Sequence, residues 1–200
     1  MLFEELRLKG AFLVSLDKRE DDRGFFGRAW CEKEFQAHGL TTRMVQSNVS
    51  VSKHRGTLRG LHFQRSPFAE AKLIRAVRGA IYDVIVDLRT DSPTFGEWCG
   101  FHLDALSYRM LYVPELFAHG FLTLRDDTEV FYQVSGFYTP EAEGGVRFDD
   151  PTLGIDWPIP ITAISLKDSS LPDLDVATGG HYAEPSLARP HSDHLRRRTS

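Results

Sequence analysis

The stretch Ala80-Ile-Tyr-Asp-Val-Ile-Val-Asp-Leu88 decides how this chain folds. Successive side chains of a strand point to opposite faces, so Tyr82, Val84, Val86 and Leu88 share one face and Ile81, Asp83, Ile85 and Asp87 the other. Two carboxylates on an otherwise aliphatic face mean that this face is not simply core. Working outward, residues 11–16, 44–52, 58–64, 72–77, 98–103, 110–113, 120–124 and 129–138 are further short runs rich in β-branched and aromatic residues, separated by Gly, Pro, Asn or Asp. Residues 32–38, closed by Gly39, are the best helix candidate. Many short antiparallel strands with few short helices predict an all-β sandwich, jelly roll or barrel, folds that enclose a ligand between two sheets.

The 200 residues, 42% of them hydrophobic, suffice for one compact domain. A net charge of −4 argues against a nucleic-acid partner, which calls for a basic excess. Cys31 and Cys99 are too few for a disulfide framework. No apolar run approaches a membrane span and residues 1–10 lack a signal-peptide core, so no membrane partner and a cytoplasmic location are expected. The domain is expected over residues 1–175. Residues 176–200, rich in Pro, Gly, Ser, His and Arg, read as a flexible or arm-like tail.

Arg55-Gly-Thr-Leu-Arg-Gly-Leu-His62-Phe-Gln64 places two arginines and a histidine in a strand. Strict alternation puts Leu58, Gly60 and His62 on one face and Arg59, Leu61 and Phe63 on the other. Taken alone, His62 is more readily a hydrogen-bonded core residue than a catalyst. Lys72 opens the next strand; pointing outward it is a surface group, and pointing inward it needs an anion. Asp83 is either that anion or a solvated carboxylate. Tyr132 and Tyr138 are six apart and so share a strand phase, as packing residues or as functional ones.

Gly56-Thr-Leu-Arg-Gly-Leu-His62-Phe-Gln, Ala71-Lys72-Leu and the run from Val77 to Arg89 resemble the dTDP-4-dehydrorhamnose 3,5-epimerase family. So do Asp22-Arg-Gly-Phe-Phe26, Ser92-Pro-Thr-Phe-Gly-Glu-Trp98, Tyr112-Val-Pro-Glu-Leu-Phe-Ala-His-Gly-Phe-Leu122, Phe148-Asp-Asp-Pro-Thr-Leu-Gly-Ile-Asp-Trp-Pro158 and Ser165-Leu-Lys-Asp168, in the family's order over about residues 1–170. The resemblance implies a cupin-type double-stranded β-helix, a jelly-roll barrel, usually a homodimer. It also implies an isomerase that inverts C3, C5 or both in a nucleotide-linked 4-keto-6-deoxyhexose, dTDP-linked, during deoxysugar (dTDP-rhamnose) biosynthesis.

A proton on carbon beside a ketone is acidic because the carbanion is an enolate, so epimerisation needs a base, an acid on the opposite face and a cation at the oxygen. By resemblance His62 is the base, Asp168 its orienting carboxylate, Lys72 the cation and Tyr132 the acid. Arg23, Phe26, Arg28, Gln46, Asn48, Arg59, His119, Tyr138, Glu143 and Lys167 correspond to substrate-binding positions, Tyr138 stacking on the base. No cofactor and no metal are implied. Arg28 departs from the family pattern, which has glutamate there, and trades an acceptor for a cation; Leu116 stands where glycine is usual, at a turn needing unusual backbone angles.

Two rival functions remain to be weighed. A metal-dependent cupin isomerase or oxygenase is suggested by the spacing of Pro114 and His119, but Phe63 and Gln64 follow His62 where a His-x-His ligand pair belongs. A catalytically inactive sugar-nucleotide binding relative has no need of His62, Lys72, Tyr132 and Asp168 together.

Overall fold

The computed structural model describes residues 1–175, and the expected tail lies outside them. In chain order the elements are β1 (Leu2–Glu5), β2 (Phe12–Ser15), β3 (Arg19–Asp21), β4 (Gly24–Phe26), α1 (Glu32–Ala37), β5 (Gln46–Ser52), β6 (Leu58–Gln64) and β7 (Lys72–Arg78). They continue with β8 (Ala80–Asp87), β9 (Trp98–Asp104), β10 (Met110–Val113), β11 (Phe117–Thr123), β12 (Thr128–Val134), a 3-10 turn at Pro140–Ala142, β13 (Glu143–Gly145) and α2 (Leu166–Ser169). One sheet runs β1-β2-β10-β7-β12-β5, the other β13-β6-β11-β8-β9, and β3 and β4 form a separate hairpin. Neighbours within each sheet are antiparallel, and from β5 onward the chain passes repeatedly from one sheet to the other. This is the expected jelly roll.

The alternation in β8 is realised. Ile81 and Ile85 enter the core between the sheets with Leu13, Ile74, Leu111, Phe117 and Phe121. Asp83 and Asp87 lie on that same inner face, fully buried. Val84 and Val86 face outward and are covered by Val146, Leu153 and Leu174 from the C-terminal segment. The outer face of the larger sheet is covered near β2 and β10 by Phe35 of α1, against which Phe3 of β1 packs. Among the described residues no helix is long and apolar enough to cross a membrane, and Cys31 and Cys99 are both unpaired.

Three expectations are corrected. The run placed at residues 120–124 begins earlier: Phe117, Ala118 and His119 already pair with Asp87, Val86 and Ile85, directly after Leu116, whose φ of 62° is the left-handed turn expected there. The run placed at residues 129–138 ends at Val134, so Tyr138 is not in strand phase with Tyr132. Instead the Tyr138 amide donates to Gln46 Oε1 at 2.8 Å. Finally, strict alternation fails in β6.

Candidate active site

Register explains that failure. His119 pairs with His62, but Phe121, two residues on, pairs with Arg59, three residues back. One extra residue is accommodated in β6, a bulge that reverses the side-chain phase and brings Arg59 and His62 to the same cavity. The glycines make the bulge feasible. Gly60 has φ 113°, and a Cβ there would sit 2.6 Å from Gly120 Cα and 2.7 Å from the His119 carbonyl oxygen. Leu61 and Phe63 remain in the outer cluster, as alternation from His62 requires.

Between the sheets lie two adjoining cavities of 490 and 390 Å³ that share His62, Lys72 and Tyr132 as walls. Arg59, His119 and Asp168 line the first; Gln46, Asn48, Tyr138 and Glu143 line the second. Each side chain is delivered by a different element: His62 by β6, Lys72 by the first position of β7, Tyr132 by β12 and Asp168 by α2. The short α2 is held by its cap, since the Asp168 amide donates to Ser165 Oγ at 3.0 Å.

Asp168 Oδ1 lies 2.7 Å from His62 Nε2, and its Oδ2 accepts the Gly60 amide at 3.2 Å, so the carboxylate ties the imidazole to the bulge. Burial pushes the Asp168 carboxyl up, but hydrogen bonds with His62, Gly60 and Ser165 outweigh it and hold the group below the ordinary carboxylate range. Occupation of Nε2 leaves Nδ1 of His62 to exchange a proton. Tyr132 is pushed up by burial and by the nearby Glu70 charge, which keeps the phenol protonated.

Lys72 does point inward. Its side chain is buried, with Nζ 3.5 Å from Glu70 Oε1 and 3.4 Å from the His62 carbonyl oxygen. Burial pulls the ammonium below its ordinary range, and Glu70, then Asp83 and Glu143, oppose that pull. Asp83 is neither the direct partner of Lys72 nor solvated: its Oδ1 is 2.5 Å from His119 Nε2, and its Oδ2 is buried without a hydrogen bond. Glu70 escaped the sequence reading, although it precedes Lys72 by two positions, the separation that shares a face in extended chain.

At the mouth of the second cavity Glu143 accepts from the Tyr138 hydroxyl at 2.9 Å and from Lys167 Nζ at 2.6 Å. Arg23, Phe26 and Arg28 are not brought to the cavity of their own chain. Arg23 pairs with Asp21 and Arg28 with Glu34, while Phe26 is 70% exposed on the β3–β4 hairpin. As for a metal, both imidazole Nε2 atoms sit on carboxylates, and no group of three or more His, Cys, Asp or Glu side chains converges among the described residues.

An imidazole–carboxylate pair, a buried cation and a phenol around adjoining jelly-roll cavities are the groups of one class, the isomerases that move protons at carbon beside a carbonyl. The family model described as dTDP-4-dehydrorhamnose 3,5-epimerase matches residues 5–175. The chain belongs to the dTDP-4-dehydrorhamnose 3,5-epimerase family, isomerases of deoxysugar biosynthesis. It is 44% identical to the dTDP-4-dehydrorhamnose 3,5-epimerase of Sinorhizobium fredii, with 87% of this chain and 90% of that protein covered. The crystal structure of the Bacillus anthracis 3,5-epimerase with TDP and PPi bound superposes with a TM-score of 0.83 at 46% identity, over 86% of this chain and 99% of that one. ChmJ, a 3'-monoepimerase from Streptomyces bikiniensis in complex with dTDP-quinovose, gives 0.78 at 38% identity, over 87% of each chain.

Proposed function

We propose that this enzyme inverts both C3 and C5 of a dTDP-linked 4-keto-6-deoxyhexose, with His62 as base, Lys72 at the ketone oxygen and Tyr132 as acid. The observation that carries this is the sharing of His62, Lys72 and Tyr132 by both cavities, which sets an acid, a base and a cation around one space. His62 takes the carbon-bound proton, and the electrons of the broken C–H bond enter the enolate. Negative charge on the oxygen meets the Lys72 ammonium. Asp168 stabilises the imidazolium, and Tyr132 gives its phenolic proton to the opposite face of the carbon. Both carbons flank the same ketone, so the same groups serve each in turn once solvent has taken the proton from the His62 imidazolium and returned one to the Tyr132 phenolate.

Arg59, His119, Gln46, Asn48, Tyr138, Glu143 and Lys167 then hold the rest of the sugar and the nucleotide, with Tyr138 stacked on the base. Support for dTDP comes from the relatives with TDP or dTDP-quinovose bound. A homodimer is supported by the outer face of the larger sheet away from α1, where Val49 and Val51 of β5 are 59% and 49% exposed and Val77 of β7 is 37% exposed. In a dimer the hairpin bearing Arg23 and Phe26, remote from its own cavity, reaches the partner's nucleotide site. The test is incubation of dTDP-4-keto-6-deoxyglucose with the enzyme in heavy water, resolved by NMR. Deuterium and inversion at both C3 and C5 are expected; inversion at one carbon only refutes the double assignment, and none refutes the function.

A further inference from the structure

Glu70 is the carboxylate of the cavity that the chemistry above leaves unused. It sits in the turn before β7 with its side chain only 12% exposed, and it lines the second cavity with Lys72 and Tyr132. Its Oε2 accepts from Gln64 Nε2 at 3.3 Å. Gln64 is itself fixed: its Nε2 also lies 3.1 Å from the Phe68 and Phe137 carbonyl oxygens, so its two N–H groups are shared among three acceptors, and its Oε1 accepts from the Thr139 amide at 2.6 Å. The carboxylate is thus held from behind by a rigid amide, while its other oxygen faces the Lys72 ammonium at 3.5 Å. We infer that Glu70 is a positioning residue of the reaction: it clamps the Lys72 ammonium against the cavity wall beside the His62 carbonyl and so presents a fixed cation to the ketone oxygen.

The groups that face Lys72 are Glu70 from its own turn, His62 from β6, Asp83 from β8, His119 from β11, Tyr132 from β12 and Glu143 from β13. Asp83 is engaged by His119, and Glu143 by Tyr138 and Lys167. Glu70 is the carboxylate paired directly with the ammonium, and it is the largest influence opposing the pull of burial on Lys72. The same charge disfavours the Tyr132 phenolate. One carboxylate therefore keeps the cation charged and the acid protonated, the two states that the forward chemistry requires.

This role depends on Lys72 meeting the ketone oxygen, as proposed above, and the experiment separates the two. Lysine side chains labelled with ¹³C at Cε are titrated by NMR without substrate, the Lys72 resonance being assigned with Lys72→Arg, in the parent, Glu70→Gln and Glu70→Asp. Removing the negative charge leaves burial less opposed, so Lys72 loses its proton at lower pH in Glu70→Gln. The alkaline limb of the kcat profile moves down with it, and kcat falls about tenfold with KM within twofold, a fraction of the roughly hundredfold cost of losing an oxyanion partner outright. Glu70→Asp, which keeps the charge, restores most of the titration and of the profile, and decides the matter if Glu70→Gln does not fold. An unmoved Lys72 titration overturns the clamp, even if activity falls. A moved titration with unchanged kcat overturns the proposal through the role of Lys72 and leaves the pairing intact.

Discussion

Asp168→Asn removes both the charge of the imidazole–carboxylate pair and the acceptor that fixes the imidazole tautomer. The amide is nearly isosteric and the Ser165 cap, made to the backbone, is untouched; with its oxygen kept on the Gly60 amide, the new NH2 faces His62 Nε2 and donates to it, which leaves the ring proton on Nδ1, the wrong tautomer for a base acting through that atom. What disappears is the attraction between the carboxylate and the imidazolium formed when His62 takes the substrate proton. At the observed 2.7 Å, two unit charges attract by about 6 kcal/mol at an effective dielectric constant of about 20. The His62 side chain is 33% exposed, so solvent screens part of this, and about half, ~3 kcal/mol, is a fair share. At about 1.4 kcal/mol per factor of ten, the lost attraction alone should lower kcat roughly a hundredfold, and the changed tautomer lowers it further. KM should change little, because the imidazolium exists only after proton transfer. Steady-state epimerisation of dTDP-4-keto-6-deoxyglucose, coupled to NMR of the products, measures both constants. A kcat within threefold of the parent would refute an ion-pair role for Asp168.

Tyr132→Phe keeps the ring packed against the core between the sheets while removing the phenolic proton. Inversion should fall by about a hundredfold or more while deuterium still enters with retention of configuration, since the enolate is then reprotonated from the His62 face; inversion at the parent rate would remove Tyr132 from the mechanism. Stability in acid should depend on Asp87, whose carboxylate is fully buried and hydrogen-bonded to Arg89, Ser92 and Thr94. Burial raises this carboxyl, but those partners outweigh it and hold its folded pKa below the ordinary value. The stabilisation is therefore complete above the unfolded pKa of about 3.9 and lost as pH falls through the lower folded value. Asp87→Asn should cost about 2 kcal/mol, or about 4–8 °C in Tm, at neutral pH, and the difference should shrink as thermal melts are taken into acid.

Strand bounds were legible from runs of β-forming residues between turn residues: β6, β10 and β8 lie at or within a residue of the bounds that the pattern predicts. The two-faced nature of β8 was legible as well, because two aspartates among aliphatic residues mark an inner face that carries polar work. The phase of β6 was not, since a bulge is decided by the approach of Gly60 to Gly120, a contact between distant segments. Nor was the pairing of Asp83, for which the deciding neighbour, His119, comes from a strand pairing that local sequence does not specify. The β3–β4 hairpin is short and exposed, with three charged residues in β3 and two adjacent phenylalanines in β4, and it has no hydrophobic period to detect. Arg23, Phe26 and Arg28 were grouped with the site by motif alone, and motif order carries no information about where a hairpin lies relative to the cavity.

The proposed mechanism requires His62 as the base for both ring carbons. The direct measurement is solvent-deuterium incorporation at C3 and C5 of dTDP-4-keto-6-deoxyglucose by His62→Ala, followed by NMR beside the parent enzyme, with dTDP binding measured to establish an intact site. Imidazole is the side chain whose ordinary range suits proton abstraction near neutrality, and removal of a general base costs about a hundredfold to ten-thousandfold. Incorporation at both carbons should therefore fall together by at least about a hundredfold while dTDP still binds. Incorporation at either carbon at the parent rate would contradict a single-base mechanism.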